Sequence, residues 1–443
     1  MLNLSEGSKR AITLLKESGY EAYAVGGAIR DAIMGRNPYD FDVTTSATPE
    51  QMQEVFKNER VFETGLKHGT LTLHYKGENV EVTTYRIDGE YLDSRHPSTV
   101  QFTTELEKDL SRRDFTMNAL AYDPNSNTLV DLFGGREDIN NKIIRAIGNP
   151  EKRFAEDALR ILRAVRFSSK LGFKIEENTK KAMLKTLPLL KSVSKERIAT
   201  ELNGLLCGEY AKNTILEHYE IISAVLPEIA VMHGFDQKNS WHIYDILTHT
   251  AVVVDNVRPV PHMRLMAFLH DIGKVTTFYL DENGVGHFWG HNEASAKRAR
   301  EFFNEYKYDN FTKERVCEII AQHDTHIKAD KIEIKKRLHN MGKESFLELL
   351  ELQKADNVAQ NPEKTNMKHF DTVLEIYNSI IENNECFSLK TLALNGSDLI
   401  QNGFDKGKTV GNVLEYLLNE VIEEKIPNDK QKLLEMAKER FLK

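Results

Sequence analysis

Residues 25–52 read VGGAIRDAIMGRNPYDFDVTTSATPEQM, and this segment is the most informative one about the structure of the N-terminal part of the chain. The preceding EAYAV predicts a short strand that ends at Gly26 and Gly27, and AIRDAIMG predicts a helix directly after these glycines. Beyond the breaker Asn37-Pro38, YDFDVTT predicts a second strand. Strand, glycine turn, helix and strand are therefore expected to form one unit.

Two aspartates flank Phe41 on the second predicted strand. Because side chains alternate between the faces of a strand, Asp40 and Asp42 are expected on one face and Phe41 on the other. Paired carboxylates suit a hard cation such as Mg²⁺, which completes its shell with water and substrate phosphates, and paired ions stabilise the attacking and leaving oxygens in phosphoryl transfer. Taken alone, the same spacing also fits a solvated strand edge.

The glycine turn adds groups that suit an anionic substrate. Gly26 and Gly27 permit close approach of the backbone to phosphates, and Arg30 follows one helical turn later, where it can pair with phosphate oxygens. A Gly-Gly pair by itself is equally an ordinary strand-to-helix turn. The order of glycines, arginine and two aspartates favours a site for a triphosphate and its metal.

The rest of the chain predicts an α+β fold with a sheet confined to the N-terminal part. TLTLHY and VEVTTYR, joined by KGEN, predict a hairpin, whereas helical patterns dominate beyond about Asp138. We therefore expect a head with a small mixed sheet, followed by mostly helical parts. The predicted divisions are a catalytic head at 1–140, a helical neck at 141–230, a metal-binding domain at 231–360 and a helical tail at 361–443.

Composition narrows the classes of function. The chain has 443 residues, of which 40% are apolar and 28% charged, so it is long enough for several domains and is expected to fold throughout. With 59 basic against 67 acidic residues and a net charge of −8, any contact with nucleic acid must be local. Three scattered cysteines predict reduced thiols, and the N-terminus lacks an apolar signal core, so we expect a cytoplasmic protein that does not span a membrane. The sequence gives no basis for an oligomeric state.

Several motifs in order resemble one enzyme family. After VGGAIRDAIMGRNPYDFDVTTSATPEQM come DLSRRDFTMNALAY, DLFGGREDINNKIIRAIGNP, RFAEDALRILRAVRF and SKERIATEL, which together cover about residues 20 to 205. The series resembles the polymerase-β-like nucleotidyltransferases, in particular the tRNA nucleotidyltransferase and bacterial poly(A) polymerase family. The resemblance implies that Asp40 and Asp42 hold metal ions, that Gly27 and Arg30 meet the triphosphate, and that Arg113 contacts the nucleotide.

The same resemblance draws attention to Glu81, in VEVTTYR. Related transferases often carry a third carboxylate on a neighbouring strand, where it can take the proton from the attacking hydroxyl group. An exposed strand glutamate without such a role is the alternative, and the sequence leaves the two open.

A stripe of charged residues follows in the predicted neck. Asp157, Arg160, Arg163 and Arg166 recur every three residues, which predicts one slowly drifting face of a helix. Salt bridging on a wet face is the plain interpretation. The family resembled uses these positions to read the incoming base: Asp157 would accept a hydrogen bond from the amino group of C or A, Arg160 would donate to the adjacent ring acceptor, and Arg163 and Arg166 would support that pair or reach phosphates.

A second group of residues has metal-ligand chemistry. It consists of imidazoles and carboxylates on predicted helices, namely His249, His270, Asp271, His291, His323 and Asp356. Their order resembles the HD-domain phosphohydrolases, and such ligands suit a transition metal such as Ni, Mn, Co or Zn. The alternative, a structural domain that retains these ligands but has no activity, stays open. The role of His242 is also left open.

The resemblance as a whole implies an enzyme that adds C, C and A to the 3′ end of tRNA from CTP and ATP, using Mg²⁺ and releasing pyrophosphate. Open alternatives are an enzyme that adds only the terminal A, a poly(A) polymerase, and an HD-type phosphohydrolase with an inactive transferase head. A CC-only enzyme is disfavoured, because the segment DGEYLDSRHPSTVQFTTELEKDL has the full length of the corresponding loop in the family resembled. The helical tail is expected to contribute to tRNA contact.

Overall fold

The computed structural model describes residues 2–38, 41–63, 65–66, 69–88 and 100–442. Two compact units are found, residues 1–230 and residues 231–443. The fourfold division into head, neck, metal-binding domain and tail stays a prediction.

A mixed sheet is the main feature of the first unit. The described strands of this unit are β1 (Ala22–Val25), β2 (Asp42–Thr45), β3 (Arg60–Phe62), β4 (Thr70–Tyr75), β5 (Glu78–Thr84), β6 (Arg86–Asp88), β7 (Val100–Phe102), β8 (Leu120–Asp123), β9 (Thr128–Asp131), β10 (Ile143–Ile144) and β11 (Lys174–Ile175). Seven of them form one sheet in the order β3-β4-β5-β2-β1-β8-β9. Only β2 and β5 run parallel among the pairs that the structure describes in this sheet; the other neighbours are antiparallel. The predicted α+β class is confirmed.

Helices follow the sheet and also cover part of it. Those of the first unit are α1 (Glu6–Glu17), α2 (Gly27–Ile33), α3 (Pro49–Val55), α4 (Leu106–Ser111), α5 (Gly135–Asn140), α6 (Pro150–Glu156), α7 (Leu159–Leu171), α8 (Glu177–Thr186), α9 (Lys195–Leu206), α10 (Ala211–Glu217), α11 (Tyr219–Ile222) and, at the border, α12 (Glu228–Met232). Helix α1 buries Ala11, Ile12 and Leu15 and packs against β1, β4 and β5, so this amphipathic helix closes one face of the sheet.

Local sequence explains where the helices near the site begin. The Thr48 hydroxyl accepts from the Gln51 amide, and the Gln51 side chain accepts from the Thr48 amide, which forms a capping box at α3. The Asn149 side chain caps α6 by accepting from the Lys152 amide, with Pro150 in the first turn. The cap of α6 fixes the start of the helix that ends at Asp157, a residue of the cleft described below.

The second unit is built almost entirely of helices. They are α13 (Ile246–Asn256), α14 (Pro261–Leu269), α15 (Lys274–Thr277), α16 (His291–Glu305), α17 (Asn310–Gln322), α18 (Lys331–Val358), α19 (Met367–Glu382), α20 (Gly396–Gln401), α21 (Lys408–Ile422) and α22 (Lys430–Phe441), with a small hairpin of β12 (Tyr279–Leu280) and β13 (Gly286–His287). Gly342, at φ 81° and ψ 168°, interrupts α18. None of the helices in the described part of the chain is long and apolar enough to cross a membrane.

The structure shows the state of the cysteines and of a basic run in the sequence, Lys335-Lys336-Arg337. Cys207, Cys317 and Cys386 are free thiols, as predicted. The basic run at 335–337 is not a free basic surface: Lys335 is buried and pairs with Glu385 and Glu424, and its two neighbours also pair with glutamates. This run is therefore a poor candidate for contact with RNA.

Candidate functional sites: an arginine cleft and a histidine-aspartate cluster

The glycine turn after β1 brings an aspartate and an arginine together. Gly26 lies at φ 78° and ψ −147°, a conformation that only glycine adopts readily. A Cβ at this position would lie 3.3 Å from Arg113 Nη1 and 3.5 Å from Asp42 Oδ2. Glycine is therefore favoured by the backbone conformation of the turn, and a larger residue would crowd Arg113.

Asp42 stands at the exposed start of β2, and Phe41 before it is buried, which agrees with the predicted alternation. Asp40 lies outside the described residues. In the parallel pairing of β2 with β5, Asp42 is the register partner of Glu81, and both residues are exposed. Because register partners project to the same face, Asp42 and Glu81 form a pair of neighbouring carboxylates.

Arg30 lies in α2 with only 3% of its surface exposed. It donates to Asn118 Oδ1 at 2.7 Å and to Asp31 Oδ1 at 2.8 Å. Asn118 in turn donates to Asp114 Oδ1 at 3.0 Å. The predicted phosphate-binding arginine is thus held in place by a buried network, which the sequence reasoning missed.

Asp114 joins this network to α7. Arg163 donates to Asp114 Oδ2 from Nη2 at 2.6 Å and from Nε at 2.9 Å. Burial alone would raise the pKa of the Asp114 carboxyl, but Arg163 and the hydrogen bond from Asn118 outweigh it and lower the pKa to about 2. Asp114 therefore stays ionised and fixes Arg163.

Asp157 is not on the same helix as Arg160, so the predicted continuous stripe is wrong at its first residue. Asp157 has extended backbone angles and separates α6 from α7. Its Oδ1 accepts from the Leu159 amide at 3.1 Å and its Oδ2 from Arg197 Nη2 at 2.7 Å. The carboxylate competes for the helix N-terminal amide and breaks the helix locally, a behaviour typical of aspartate.

Arg160 is held by bonds of its own. It donates to the carbonyl oxygens of Arg153 and Arg112, each at 3.0 Å, and to Glu156 Oε2 at 2.9 Å. Only 8% of its surface is exposed. One arginine thereby ties α6, the start of α7 and the turn after α4 together.

These groups face one cleft of about 460 Å³. Its described walls carry more positive than negative side chains: Arg30, Arg112, Arg113, Arg160, Arg163, Arg166 and Arg197 against Asp42, Asp114 and Asp157. Arg166 pairs with Glu201 through Nε at 2.5 Å. We call this site the arginine cleft, and its charge suits an anion with several phosphates. Arg197 was missed as a candidate although it lies within SKERIATEL, because its partner is 40 residues away.

The second unit brings all six predicted ligand residues together. One ligand atom from each of His249, His270, Asp271 and Asp356 lies within 4.8 Å of the others, and a second such group shares Asp271 with His291 and His323. We call these six residues the histidine-aspartate cluster. Five come from positions at or near the ends of α13, α14, α16, α17 and α18, and Asp271 follows α14 in a turn.

Backbone carbonyls orient the four imidazoles. The Nδ1 atoms of His270, His291 and His323 lie 2.8, 2.8 and 2.7 Å from the carbonyl oxygens three residues before them. His249 Nδ1 lies 3.3 Å from the Ala359 oxygen. Each ring therefore donates from Nδ1 and presents Nε2 to the centre of the cluster, which is the usual arrangement of metal-binding histidines.

Asp271 lies at the centre and is buried. Burial favours its neutral form, but His270 and Lys274 hold the pKa of the carboxyl well below its usual range. Lys274 Nζ lies 2.8 Å from Oδ2, whereas His291 and His323 Nε2 lie 3.5 and 3.6 Å from Oδ1. Both Asp271 oxygens and the Nε2 atoms of His249 and His270 are buried without a hydrogen bond of good geometry. Such converging nitrogen and oxygen atoms fit a transition metal.

Comparison with known proteins identifies relatives over the whole chain. Family profiles match residues 22–145 (Poly A polymerase head domain), 172–232 (Probable RNA and SrmB- binding site of polymerase A) and 288–437 (tRNA nucleotidyltransferase domain 2 putative). The CCA-adding enzyme of Leuconostoc mesenteroides is 32% identical over 97% of this chain and 94% of its own length. That of Geobacillus stearothermophilus is 47% identical over 49% of this chain, and the match spans about half (54%) of its length.

Solved structures agree with these matches. The Bacillus stearothermophilus CCA-adding enzyme in complex with CTP superposes with a TM-score of 0.74 and 29% identity, over 99% of this chain and 98% of the other. The Thermotoga maritima CCA-adding enzyme complexed with tRNA superposes with a TM-score of 0.60 over 97% and 93% of the two chains. At 20% identity the latter supports the fold alone.

Proposed function

The chain belongs to the family of CCA-adding enzymes, and we propose from this premise that it adds C, C and A to the 3′ end of tRNA, using CTP and ATP and releasing pyrophosphate. The observation that carries the proposal is the arginine cleft, in which an exposed aspartate, a glycine turn and seven described arginines meet. The cleft joins a place for metal-bound phosphates to a place for a base. We propose the cytoplasm as the compartment, consistent with the free thiols.

Membership in this family implies a dependence on a divalent metal. We propose Mg²⁺ as that metal and Asp40 and Asp42 as its ligands, because carboxylate oxygens are what Mg²⁺ prefers. When bound, the ion would neutralise charge on the triphosphate. Glu81, the register partner of Asp42, is proposed to take the proton from the 3′ hydroxyl of the tRNA.

The arginines and glycines are proposed to hold the nucleotide. Gly26 and Gly27 leave room for phosphates at the start of α2, and Arg113 lies beside Asp42 at the same turn. Arg30 is proposed to meet the triphosphate from the wall of the cleft, where Asn118 orients its guanidinium group. Its fixed position reduces the entropy lost on binding.

Base choice is proposed for Asp157 and Arg160. The Asp157 carboxylate accepts one hydrogen bond at each oxygen and keeps lone pairs for the amino group of cytosine or adenine. Guanine and uracil present a carbonyl oxygen at that edge, which the carboxylate repels. Arg160 is proposed to donate to the ring acceptor, and Arg163 and Arg166, fixed by Asp114 and Glu201, to support the walls or meet phosphates.

Labelled nucleotides test this proposal. Purified protein is incubated with tRNA that lacks its last three nucleotides, and with CTP, ATP, UTP or GTP singly and in combination. CCA addition is supported if C is incorporated when CTP is the only nucleotide supplied, and if A is incorporated only when CTP is also present. Addition of A to a tRNA that already ends in CC, without any addition of C to the trimmed tRNA, indicates an A-adding enzyme. Long A tails indicate a poly(A) polymerase, and no incorporation indicates an inactive head.

A second activity is proposed for the histidine-aspartate cluster, namely metal-dependent hydrolysis of phosphate esters. The convergence of six ligand-type side chains and the buried carboxylate oxygens of Asp271 favour it. Ni, Mn, Co and Zn suit the donor set of His249, His270, Asp271, His291, His323 and Asp356. When bound, the metal would activate water for attack on a phosphate. Metal content of the purified protein, compared with that of His270→Ala, tests the binding directly.

A further inference from the structure

Both tryptophans of the chain lie at the mouth of the cavity that contains the histidine-aspartate cluster. The chain has two tryptophans, and both line this cavity of about 640 Å³ together with Asp271 and Asp356. Trp289 is 76% exposed and Trp241 is 51% exposed. Large aromatic side chains that stay exposed beside a cavity are typical of a binding surface.

The surroundings of Trp289 hold its indole in place and leave it open. Tyr279 and His287, from the β12-β13 hairpin, stack on each other at 5.2 Å and approach the Trp289 ring at 5.4 and 5.7 Å. The residue also lies two positions before His291 of the cluster. These two rings meet the indole edge-on or tilted and brace it next to the cluster, and we call the braced indole the Trp289 platform.

Trp241 stands on a separate segment and is fixed through its backbone. Its carbonyl oxygen accepts from the Asn361 amide at 2.8 Å, and its amide donates to Asn239 Oδ1 at 3.1 Å. Lys364 Nζ lies 5.2 Å from the indole ring. The second indole is thus anchored at the same rim, beside a cation.

We propose that this cavity binds a nucleotide, with the base stacked on the Trp289 platform and the phosphate at the histidine-aspartate cluster. The inference rests on the proposed metal-dependent phosphate chemistry of the cluster and specifies its substrate class. The flat face of the indole is complementary to the π-face of any base, whereas a sugar phosphate or inorganic phosphate offers no π-face. The volume of the cavity suits a ligand of nucleotide size.

Tryptophan fluorescence reports on this cavity alone, because no tryptophan lies elsewhere in the chain. The full-length protein is titrated with AMP in the presence of Mg²⁺ or Zn²⁺, neither of which is a strong quencher. We expect saturable quenching by AMP and an affinity for ribose 5-phosphate that is at least about fivefold lower, since it lacks the base. Equal affinity for the two probes would overturn the inference.

Substitutions at the platform provide matched controls, and Trp241 remains as the reporter. Trp289→Leu should weaken AMP binding about fivefold or more, whereas Trp289→Phe, which keeps an aromatic face, should stay within about threefold of the parent. Undiminished AMP binding by Trp289→Leu would contradict the platform. Loss of tRNA affinity in Trp289→Leu with no AMP binding by the parent would assign the surface to tRNA instead and overturn the inference.

Two further measurements separate the sources of failure. Metal content shows whether the cluster binds metal. If metal is bound but AMP is not preferred over ribose 5-phosphate, the base platform is refuted, whereas the proposed chemistry of the cluster is not. A short single-stranded RNA with a terminal phosphate is the second probe. Tighter binding of this RNA than of AMP identifies the end of an RNA as the source of the nucleotide, and tighter binding of AMP identifies a free nucleotide; binding of neither probe contradicts the proposal.

Discussion

Asp42 and Glu81 show how single residues build the proposed transfer site. They are exposed register partners on parallel strands. Asp42 also lies beside Arg113 at the Gly26 turn. A carboxylate here adds little to the core, so its loss should affect chemistry and not folding.

Asp42→Asn is expected to lower the rate of nucleotide addition by at least about a hundredfold, because it removes a metal ligand worth several kcal/mol of transition-state stabilisation. Thermal unfolding should change little. Single-turnover incorporation of CTP measures the effect, and Glu54→Gln, which removes an exposed carboxylate from α3, is the matched control. Near-parental turnover by Asp42→Asn would refute the assignment of Asp42 as a metal ligand.

Arg160→Ala is expected to reduce discrimination for C and A against U and G by about tenfold or more, since it removes a donor to the base edge. Competition between paired nucleotides measures the ratio. Lys170→Ala, at the exposed end of the same helix α7, should leave the ratio unchanged. Because Arg160 also ties the turn after α4 to α6, circular dichroism is needed to show that the variant is folded. An unchanged preference in folded protein would count against base reading by this residue.

At the scale of elements, the turn between β1 and α2 decides whether the arginine cleft can form. Gly26→Ala is expected to destabilise the protein by about 1–3 kcal/mol because of its positive φ, and to abolish addition because the new methyl group would crowd Arg113 beside Asp42. Gly35, at φ 73° with open space around it, offers a comparison. Gly35→Ala should be destabilised without loss of activity, as measured by urea unfolding and CTP incorporation. Equal activities of the two variants would show that crowding at Gly26 is unimportant.

Sequence patterns predicted the elements around this turn but not their side-chain partners. The strand, glycines and helix of residues 21–33, and the hairpin of β4 and β5, follow from local periodicity. The break at Asp157 does not, because the helical spacing of AEDALRILR continues through it, and Arg197, the partner of this carboxylate, lies far along the chain. The pairs of Asp114 with Arg163 and of Lys335 with Glu385 were not predicted either, because the partners are far apart in the sequence. The six cluster residues were found because their order resembles a known ligand pattern.

At the scale of the whole molecule, two sites with different chemistry lie in two separate compact units. The arginine cleft is formed by residues of the first unit and the histidine-aspartate cluster by residues of the second. The cleft offers oxygen ligands that suit Mg²⁺, whereas the cluster offers mainly imidazoles that suit a transition metal. A substitution that inactivates one site is therefore expected to leave the other site active.

Asp271→Ala is expected to lower bound transition metal to background and to leave incorporation of CTP and ATP within a few-fold of the parent. Elemental analysis of the purified protein measures the first effect, and the addition assay measures the second. Because Asp271 is buried and pairs with Lys274, the more conservative Asp271→Asn serves as a second variant if the first is unstable. Loss of nucleotide addition in a folded variant would mean that the cluster takes part in the transfer reaction.

The most direct test of the account is to sequence the 3′ ends of the product. Purified protein is supplied with Mg²⁺, all four nucleoside triphosphates and a tRNA trimmed of its last three nucleotides. The account predicts that C, C and A are added in this order, after which addition stops, with one pyrophosphate released for each nucleotide. Addition of A alone, a run of A residues, frequent U or G, or an unchanged tRNA end would contradict it.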